Sequence, residues 1–386
     1  MFINKLLLVL IISPFVAALT GKELLDFAVK QYTKAVHEIK TGVRCPSIGR
    51  PTATAWDTLP VVTSDFRVGF YPGILWYLYE YTNDKTWKEL AITATEAEAD
   101  IQYINRTHDI GFDIMGSFGN GYRLTKNEKY SKVIVTAANT LATRFNPKVG
   151  CTRSWNSKKP DQFIVIADNM MNLELLFEGS RLSGNKTLYD MAVSHTNVTI
   201  REHLRADYSH YQVVMFNETS GHVMKKYTVD GYADHSCWSQ AQGWLVSGLT
   251  TAYRYTRAEY ILRAAEGVAK YFIDKSPADG IPYWDYDVPH DSNHTYIPRD
   301  SSAAATAASG LIELYEFTKN DKYLIGFKRI MESLNGDRYR ADAKPEYKIP
   351  ALFLNGTTSF KKSIYDTAMI FGDYYYVKSF KYYLDL

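Results

Sequence analysis

Five stretches of this chain share one rhythm of apolar and polar positions. "YTNDKTWKELA" from Tyr81, "LTKNEKYSKVI" from Leu124, "LSGNKTLYDMA" from Leu182, "YTRAEYILRAA" from Tyr255 and "FTKNDKYLIGF" from Phe317 each place a short polar turn before an amphipathic helix. Their apolar residues recur at steps of three and four, which puts one helix face against a core. Each turn follows an apolar run containing Gly or Ala, so the unit is a helix-turn-helix hairpin. The starts lie about 43 to 73 residues apart, too uneven for a solenoid of fixed period.

The whole pattern predicts twelve helices, near 22–40, 68–81, 84–102, 109–123, 127–144, 167–182, 185–203, 238–255, 257–275, 301–317, 320–334 and 365–384. The first and last have no hairpin partner of their own and are expected to meet and close a ring. The fold class is therefore all-α, an (α/α)6 toroid of six helical hairpins with six inner and six outer helices. One segment breaks the helical period. "YQVVMFNETSGHVMKKY" (Tyr211–Tyr227) alternates on both sides of "NETSG", which predicts a small β-hairpin in a long loop above the barrel.

The first 18 residues read differently. Lys5 precedes an apolar run from Leu6 to Val16, and small residues follow at Ala17 and Ala18. That is the form of a secretory signal peptide cleaved near Ala18, and the run is too short to span a bilayer. A secreted, extracellular protein is expected, with residues 19–386 forming one catalytic barrel domain. Six N-x-Ser/Thr sequons, at Asn105, Asn185, Asn197, Asn217, Asn293 and Asn355, agree with that route. Three cysteines, Cys45, Cys151 and Cys237, allow at most one intramolecular disulfide. The net charge of +2 over 386 residues gives no reason to expect a nucleic-acid or acidic-membrane partner. The 30 Tyr and 7 Trp residues offer aromatic faces with polar edges, suited to helix packing and to sugars alike.

The unusual motifs fall at one kind of place. "FRVGFYPG", "HDIGFD", "IADNMMN", "CWSQAQGW", "RDSSAAA" and "IYDTAMIFGDYY" all lie at or near the starts of even-numbered helices. In a toroid those are the inner helices, and their N-termini share one rim. Free N–H groups and positive dipole ends there favour an anion such as a uronate carboxylate. Acids at helix starts ordinarily act as caps, and Asp300 and Asp366 are read that way. Asp109 and Asp168 stand in more apolar surroundings, where an ionised carboxylate is costly unless paired. Gly111 permits close backbone approach beside Asp109. Two carboxylates converging on one rim suit glycosidic or enol-ether chemistry, with one protonating and the other orienting or stabilising. There is no P-loop, zinc motif or nucleophile elbow.

The order "GFYPGILW", "HDIGF", "DNMMNLELLF", "CWSQAQGW", "DSSAAATAASGL" and "GDYYY" resembles glycoside hydrolase family 88, the unsaturated glucuronyl hydrolases of the six-hairpin group. The resemblance runs from about residue 22 to the C-terminus. It implies removal of a 4,5-unsaturated uronic acid from lyase-generated oligosaccharides, without a metal or cofactor. A carboxylic acid protonates the vinyl-ether double bond, water adds to carbon 5, and the resulting hemiketal expels the aglycone. By the resemblance Asp168 is the general acid/base and Asp109 the assisting carboxylate. His108 borders the pocket, with Trp155 and Trp244 as aromatic walls.

The binding ring departs from the family pattern. Where members usually carry Trp-Ala-Arg-Gly-Gln-Ala-Trp, this chain has Trp238-Ser239-Gln240-Ala241-Gln242-Gly243-Trp244, so a substrate-holding Arg is replaced by Gln240. A usual Gln-Gly is Asp230-Gly231, a usual His is Gln212, and a usual Trp is Phe66. Substrate-binding candidates are therefore His108, Trp155, Gln212, Asp230, Gln240, Gln242, Trp244 and Phe66. Loss of Arg removes a bidentate carboxylate clamp. Asp230 adds a charge that would repel a uronate, unless it holds sugar hydroxyls or pairs with Lys225, Lys226 or His235. A conventional inverting glycosidase and a non-catalytic carbohydrate-binding protein on the same fold are the alternatives.

Overall fold

The computed structural model describes residues 21–384, so the expected signal peptide lies outside the described residues. Twelve helical rods follow one another there. They are α1 (Gly21–Glu38), α2 (Phe70–Thr82), α3 (Lys85–Ala97), α4, α5 (Glu128–Ala142), α6 (Asn169–Ser183), α7 (Lys186–Val198), α8 (Ser239–Thr256), α9 (Glu259–Lys275), α10 (Ser301–Thr318), α11 (Asp321–Leu334) and α12 (Ile370–Leu384). The rod α4 is Ile110–Ile114, a π-helical turn Met115–Gly119 and Asn120–Thr125 in succession. The even-numbered helices form the inner ring, each packed on the next, and α12 closes it against α2. The odd-numbered helices lie outside. Tyr32 of α1 donates its hydroxyl to Asp373 Oδ2 of α12 at 3.0 Å, so the first and last helices meet as expected.

The repeated turns share one bonding pattern. Thr82, Thr125, Ser183, Thr256 and Thr318 each donate a hydroxyl to the carbonyl four residues back. Each hydroxyl also accepts the N–H two residues ahead. The residue between, Asn83, Lys126, Gly184, Arg257 or Lys319, is left-handed, with φ from 52° to 74°. Asp84, Asn127, Asn185 and Asn320 then cap the outer helix through their side-chain oxygens. In four of the five turns three letters, Ser/Thr-x-Asn/Asp, thus end one helix and start the next, while Thr256-Arg257-Ala258 ends its helix the same way and leaves the next uncapped by a side chain. Small residues let the inner helices touch. A Cβ added at Gly243 of α8 would lie 2.8 Å from the Ala303 carbonyl oxygen of α10, which accounts for the run of Ser, Ala and Gly there.

The expected hairpin is present as Val213–Asn217 and Val223–Tyr227, but it is part of a three-stranded antiparallel sheet whose third strand is Gln162–Ile166. Helix α12 begins at Ile370 rather than near 365. Ala368 and Met369 pair with Gly49 and Ile48 and hold the approach extended. All three thiols are free and buried, with Cys45 Sγ 3.4 Å from Glu98 and Cys237 Sγ 3.3 Å from His210. No described helix is long and apolar enough to cross a membrane.

Candidate active site

Asp168 is delivered to the rim by the sheet. The N–H of Ala167 donates to the Gln212 carbonyl at 2.9 Å, and the next residue opens α6. Asp168 stands at the N-cap position but caps nothing. Its backbone is already helical, at φ −61° and ψ −21°, and its side chain accepts no N–H from the first turn. Oδ1 is buried without a hydrogen-bond partner among the described residues. Asn169 takes the structural work instead. Its Oδ1 accepts the Ser154 hydroxyl and its Nδ2 donates to the Thr152 carbonyl at 3.1 Å, which pins the helix start.

Asp109 holds the equivalent place on α4 and also makes no cap bond. Its Oδ2 accepts the Thr107 hydroxyl at 2.6 Å. His108 Nε2 lies 3.2 Å from Asp109 Oδ1 without the alignment of a hydrogen bond. Asn172 Nδ2 lies 3.0 Å from His108 Nδ1, and this network assigns the ring proton to Nε2, facing Asp109. Burial, aided by Arg144, brings the His108 pKa down to about 3, so the ring is neutral and is no counter-ion. Asn172 Oδ1 accepts the Phe112 N–H at 2.7 Å and so locks the starts of α4 and α6 together. Gly111 makes that approach possible, since a Cβ there would sit 2.6 Å from Asn172 Cα.

The electrostatics follow from this geometry. Burial pushes Asp109 up to about 7, with Thr107 and Arg144 pulling down and Asp65 pushing up. Burial raises Asp168 well above the usual carboxylate range, and the charges of Asp230 and Asp109 raise it further. Burial and like charge thus both favour the protonated form of Asp168. Asp300 shows the contrast. It accepts Ser302 N and Ala303 N at 3.1 Å each and Thr357 N at 3.2 Å, and is the cap it was read to be. Asp366 is not a cap, because α12 starts four residues later; it accepts the Tyr296 hydroxyl.

The remaining candidates divide. Trp155 is half-buried at the rim, its backbone bridged to Thr107. Phe66 is half-buried above an aromatic floor, 5.6 Å from Phe112 and 5.7 Å from Phe371. Trp244 lies in that floor, 5.1 Å from Phe112 and only 3% exposed, so it supports the site from below rather than walling it. Gln212 and Asp230 meet: Gln212 Nε2 donates to Asp230 Oδ2 at 3.1 Å. Asp230 pairs with none of the three residues considered for it. Its partner is Lys362, with Nζ 2.9 Å from Oδ1, while Lys225 pairs with Asp234 and Lys226 with Glu202. Gln240 lies between α8 and α10, its Oε1 accepting the Ser302 hydroxyl at 3.0 Å. Gln242 does not reach the rim. Two residues on, roughly 200° around the helix, its amide turns outward to His210 Nδ1 at 2.8 Å and the carbonyls of Tyr208 and Val268 at 2.9 and 3.2 Å. Among the described residues, no group of three His, Cys, Asp or Glu side chains is arranged to hold a metal ion.

The family model for Glycosyl Hydrolase Family 88 matches residues 44–281. The chain belongs to glycoside hydrolase family 88. It is 38% identical over 326 residues to the unsaturated glucuronyl hydrolase of Formosa agariphila, covering 83% of this chain and 80% of that one. A solved unsaturated glucuronyl hydrolase specific for heparin superposes with a TM-score of 0.88 at 34% identity, covering 95% of this chain and 97% of that one. The enzyme of Bacillus sp. GL1, responsible for glycosaminoglycan degradation, gives 0.85 at 26% identity, covering 93% and 96%. The protein is thus a glycoside hydrolase on the six-hairpin toroid. Three residues of this family 88 enzyme's site were not singled out from sequence. Thr107 and Asn172 had a signal: each is a polar neighbour of a motif acid, and Asn172 recurs one turn after Asp168. Lys362 had none, being 132 residues from its partner.

Proposed function

We propose that this enzyme releases a 4,5-unsaturated uronic acid from lyase-generated glycosaminoglycan oligosaccharides by acid-catalysed hydration of the vinyl ether. The observation that carries the reading is Asp168 Oδ1, buried, unbonded and declining the cap role that its position offers. The named relatives act on unsaturated glucuronides, and the shared fold supports the same substrate class here. Protonated Asp168 gives its proton to carbon 4 of the double bond. Water then adds to carbon 5 and returns a proton to the Asp168 carboxylate. The hemiketal so formed opens and expels the aglycone. Asp109, held by Thr107 and faced by neutral His108, keeps a second carboxylate beside the acid, which raises its hold on the proton.

The test is loss of the double bond's ultraviolet absorbance in a panel of unsaturated disaccharides. Wild type is expected to consume at least one, and Asp168→Asn to fall by about a thousandfold or more with its thermal midpoint retained. Equal rates in the two proteins would sink the reading. We further propose that the chain is exported, on the strength of residues 1–18. N-terminal sequencing of the protein from the culture medium is expected to start near residue 19.

A further inference from the structure

Two departures from the family pattern, Gln212 and Asp230, are one unit in space. Gln212 Oε1 receives Thr228 Oγ1 at 2.6 Å, Val229 N at 2.7 Å and Asp230 N at 3.0 Å, while its Nε2 donates to Asp230 Oδ2. The same residue's carbonyl holds Ala167, next to Asp168. Asp230 is therefore tied to the acid through one short strand. Its other oxygen meets Lys362, whose side chain is 58% exposed and rides on the 3-10 turn Phe360–Lys362. Both pieces rest on a common support. Phe360 stacks on Trp284 at 5.2 Å, and neighbouring Asp285 accepts Tyr232 N at 2.8 Å and the Ser236 hydroxyl at 2.6 Å just beyond Asp230.

Two other cations on this side of the ring, Arg67 and Arg144, are engaged. Arg67 binds Asp65 through Nε and Nη2 at 2.7 and 2.6 Å. Arg144 spends its guanidinium on the carbonyls of Asn105, Arg153 and Ser154 and on Asn156 Oδ1. Gln240 is neutral, and its amide is bound to α10. An ammonium has three donors, and Lys362 shows one bond, to Asp230.

We propose that Lys362 is the cation that meets the substrate's carboxylate, and that Asp230, fixed by Gln212, is the positioning residue that couples this binding to proton transfer from Asp168. The inference rests on the uronide reading above. When the uronate shares Lys362, Asp230 loses part of its counter-charge, and its field on Asp168 grows. The charged groups facing Asp168 are Asp109 from α4 and Asp230 from this loop, with His108 neutral and Asp65 and Arg144 behind Asp109. Substrate binding then strengthens the acid's hold on its proton, so Asp168 stays loaded until the double bond is in place. The proton still passes from Asp168 to carbon 4, and no further reactant is involved.

Steady-state kinetics on an unsaturated disaccharide across pH test this. Lys362→Ala is expected to raise KM about tenfold or more with a smaller change in kcat, and Lys362→Arg to restore most of it. The alkaline limb of kcat/KM should move up by about half a pH unit in Lys362→Ala and down by a similar amount in Asp230→Asn. Opposite movements from the two ends of one ion pair are not expected of a merely structural contact. An unchanged KM in Lys362→Ala, or limbs that stay with wild type in both variants, overturns the inference and leaves the hydrolase reading intact. A wild type that consumes no unsaturated disaccharide overturns both.

Discussion

The two ends of the inner ring treat buried acids in opposite ways. At the C-terminal end, Glu80 of α2 accepts Arg123 Nη1 and Nη2 at 2.7 and 2.6 Å and lies 2.6 Å from Lys381 Nζ. Arg254 of α8 grips Glu313 of α10 and lies 2.7 Å from Glu174 of α6. Burial works to raise Glu80 and Glu174, yet these cations outweigh it and hold both below the usual carboxylate range. At the N-terminal end Asp109 and Asp168 have no such cation bound to them among the described residues, and burial wins. The side chain and the desolvation are alike; the counter-charge decides. Pairing favours the ionised form and binds the ring together, whereas burial without a cation favours the protonated form.

The largest expected effect breaks the paired end. Arg254→Ala leaves Glu313 and Glu174 buried without their cation, and should cost about 3–4 kcal/mol of stability. Denaturant unfolding reads the loss, while kcat per folded molecule is expected to stay within about twofold of wild type. A comparable fall in kcat would show that the two ends are not separate in function.

Asp109→Asn attacks the unpaired end. Activity should fall about a hundredfold, and the alkaline limb of kcat/KM should move to lower pH, because a negative charge beside Asp168 is gone. Stability should move the other way. A carboxyl at about 7 in the fold and near its ordinary value when unfolded favours the fold below that ordinary value and loses the benefit as pH rises towards 7. Asn carries no such loss, so the variant should gain about 1–2 kcal/mol on wild type between pH 4 and pH 7. A constant difference across that window would refute the assignment.

The histidines act on stability alone. Burial depresses His108, His195 and His210 to about 3 and His203 to about 4. Their unfolded forms titrate near 6.5, so the contribution is complete above that pH and is lost as pH falls towards the folded values. Each should remove about 1–2 kcal/mol by pH 5, seen as a falling thermal midpoint. His195→Gln should flatten this acid slope without shifting the activity profile.

Much of the architecture was legible because it is written locally. The triplets at Thr82, Thr125, Ser183, Thr256 and Thr318 carry their own turn chemistry, so the hairpins could be read without knowing what they pack against. The acid pair was legible as carboxylates in apolar company. What escaped depended on contacts distant along the chain. In "QFIVI" the four residues after Gln162 are continuously apolar, and only pairing with Val213–Asn217 makes the stretch a strand. Ala368 and Met369 are extended because Gly49 and Ile48 hold them, and Asp366 before them is left-handed at φ 54°. Gln242 shares a motif with Gln240 yet faces outward, since a motif does not state its rotation about the helix. Lys362 is a lysine among exposed residues until the fold brings Asp230 to it.

The turn triplets have a consequence for how this enzyme can change. All five sit at the paired end and are too short to vary, and four of them supply both the helix stop and the next cap from their own side chains. The connections on the acid side are long, and they carry Gln212, Asp230 and Lys362, while Asp109 and Asp168 stand on the helices themselves. Inheritance is thereby partitioned: substitutions, insertions and deletions around the mouth leave the ring and the two acid-bearing helix starts as they are.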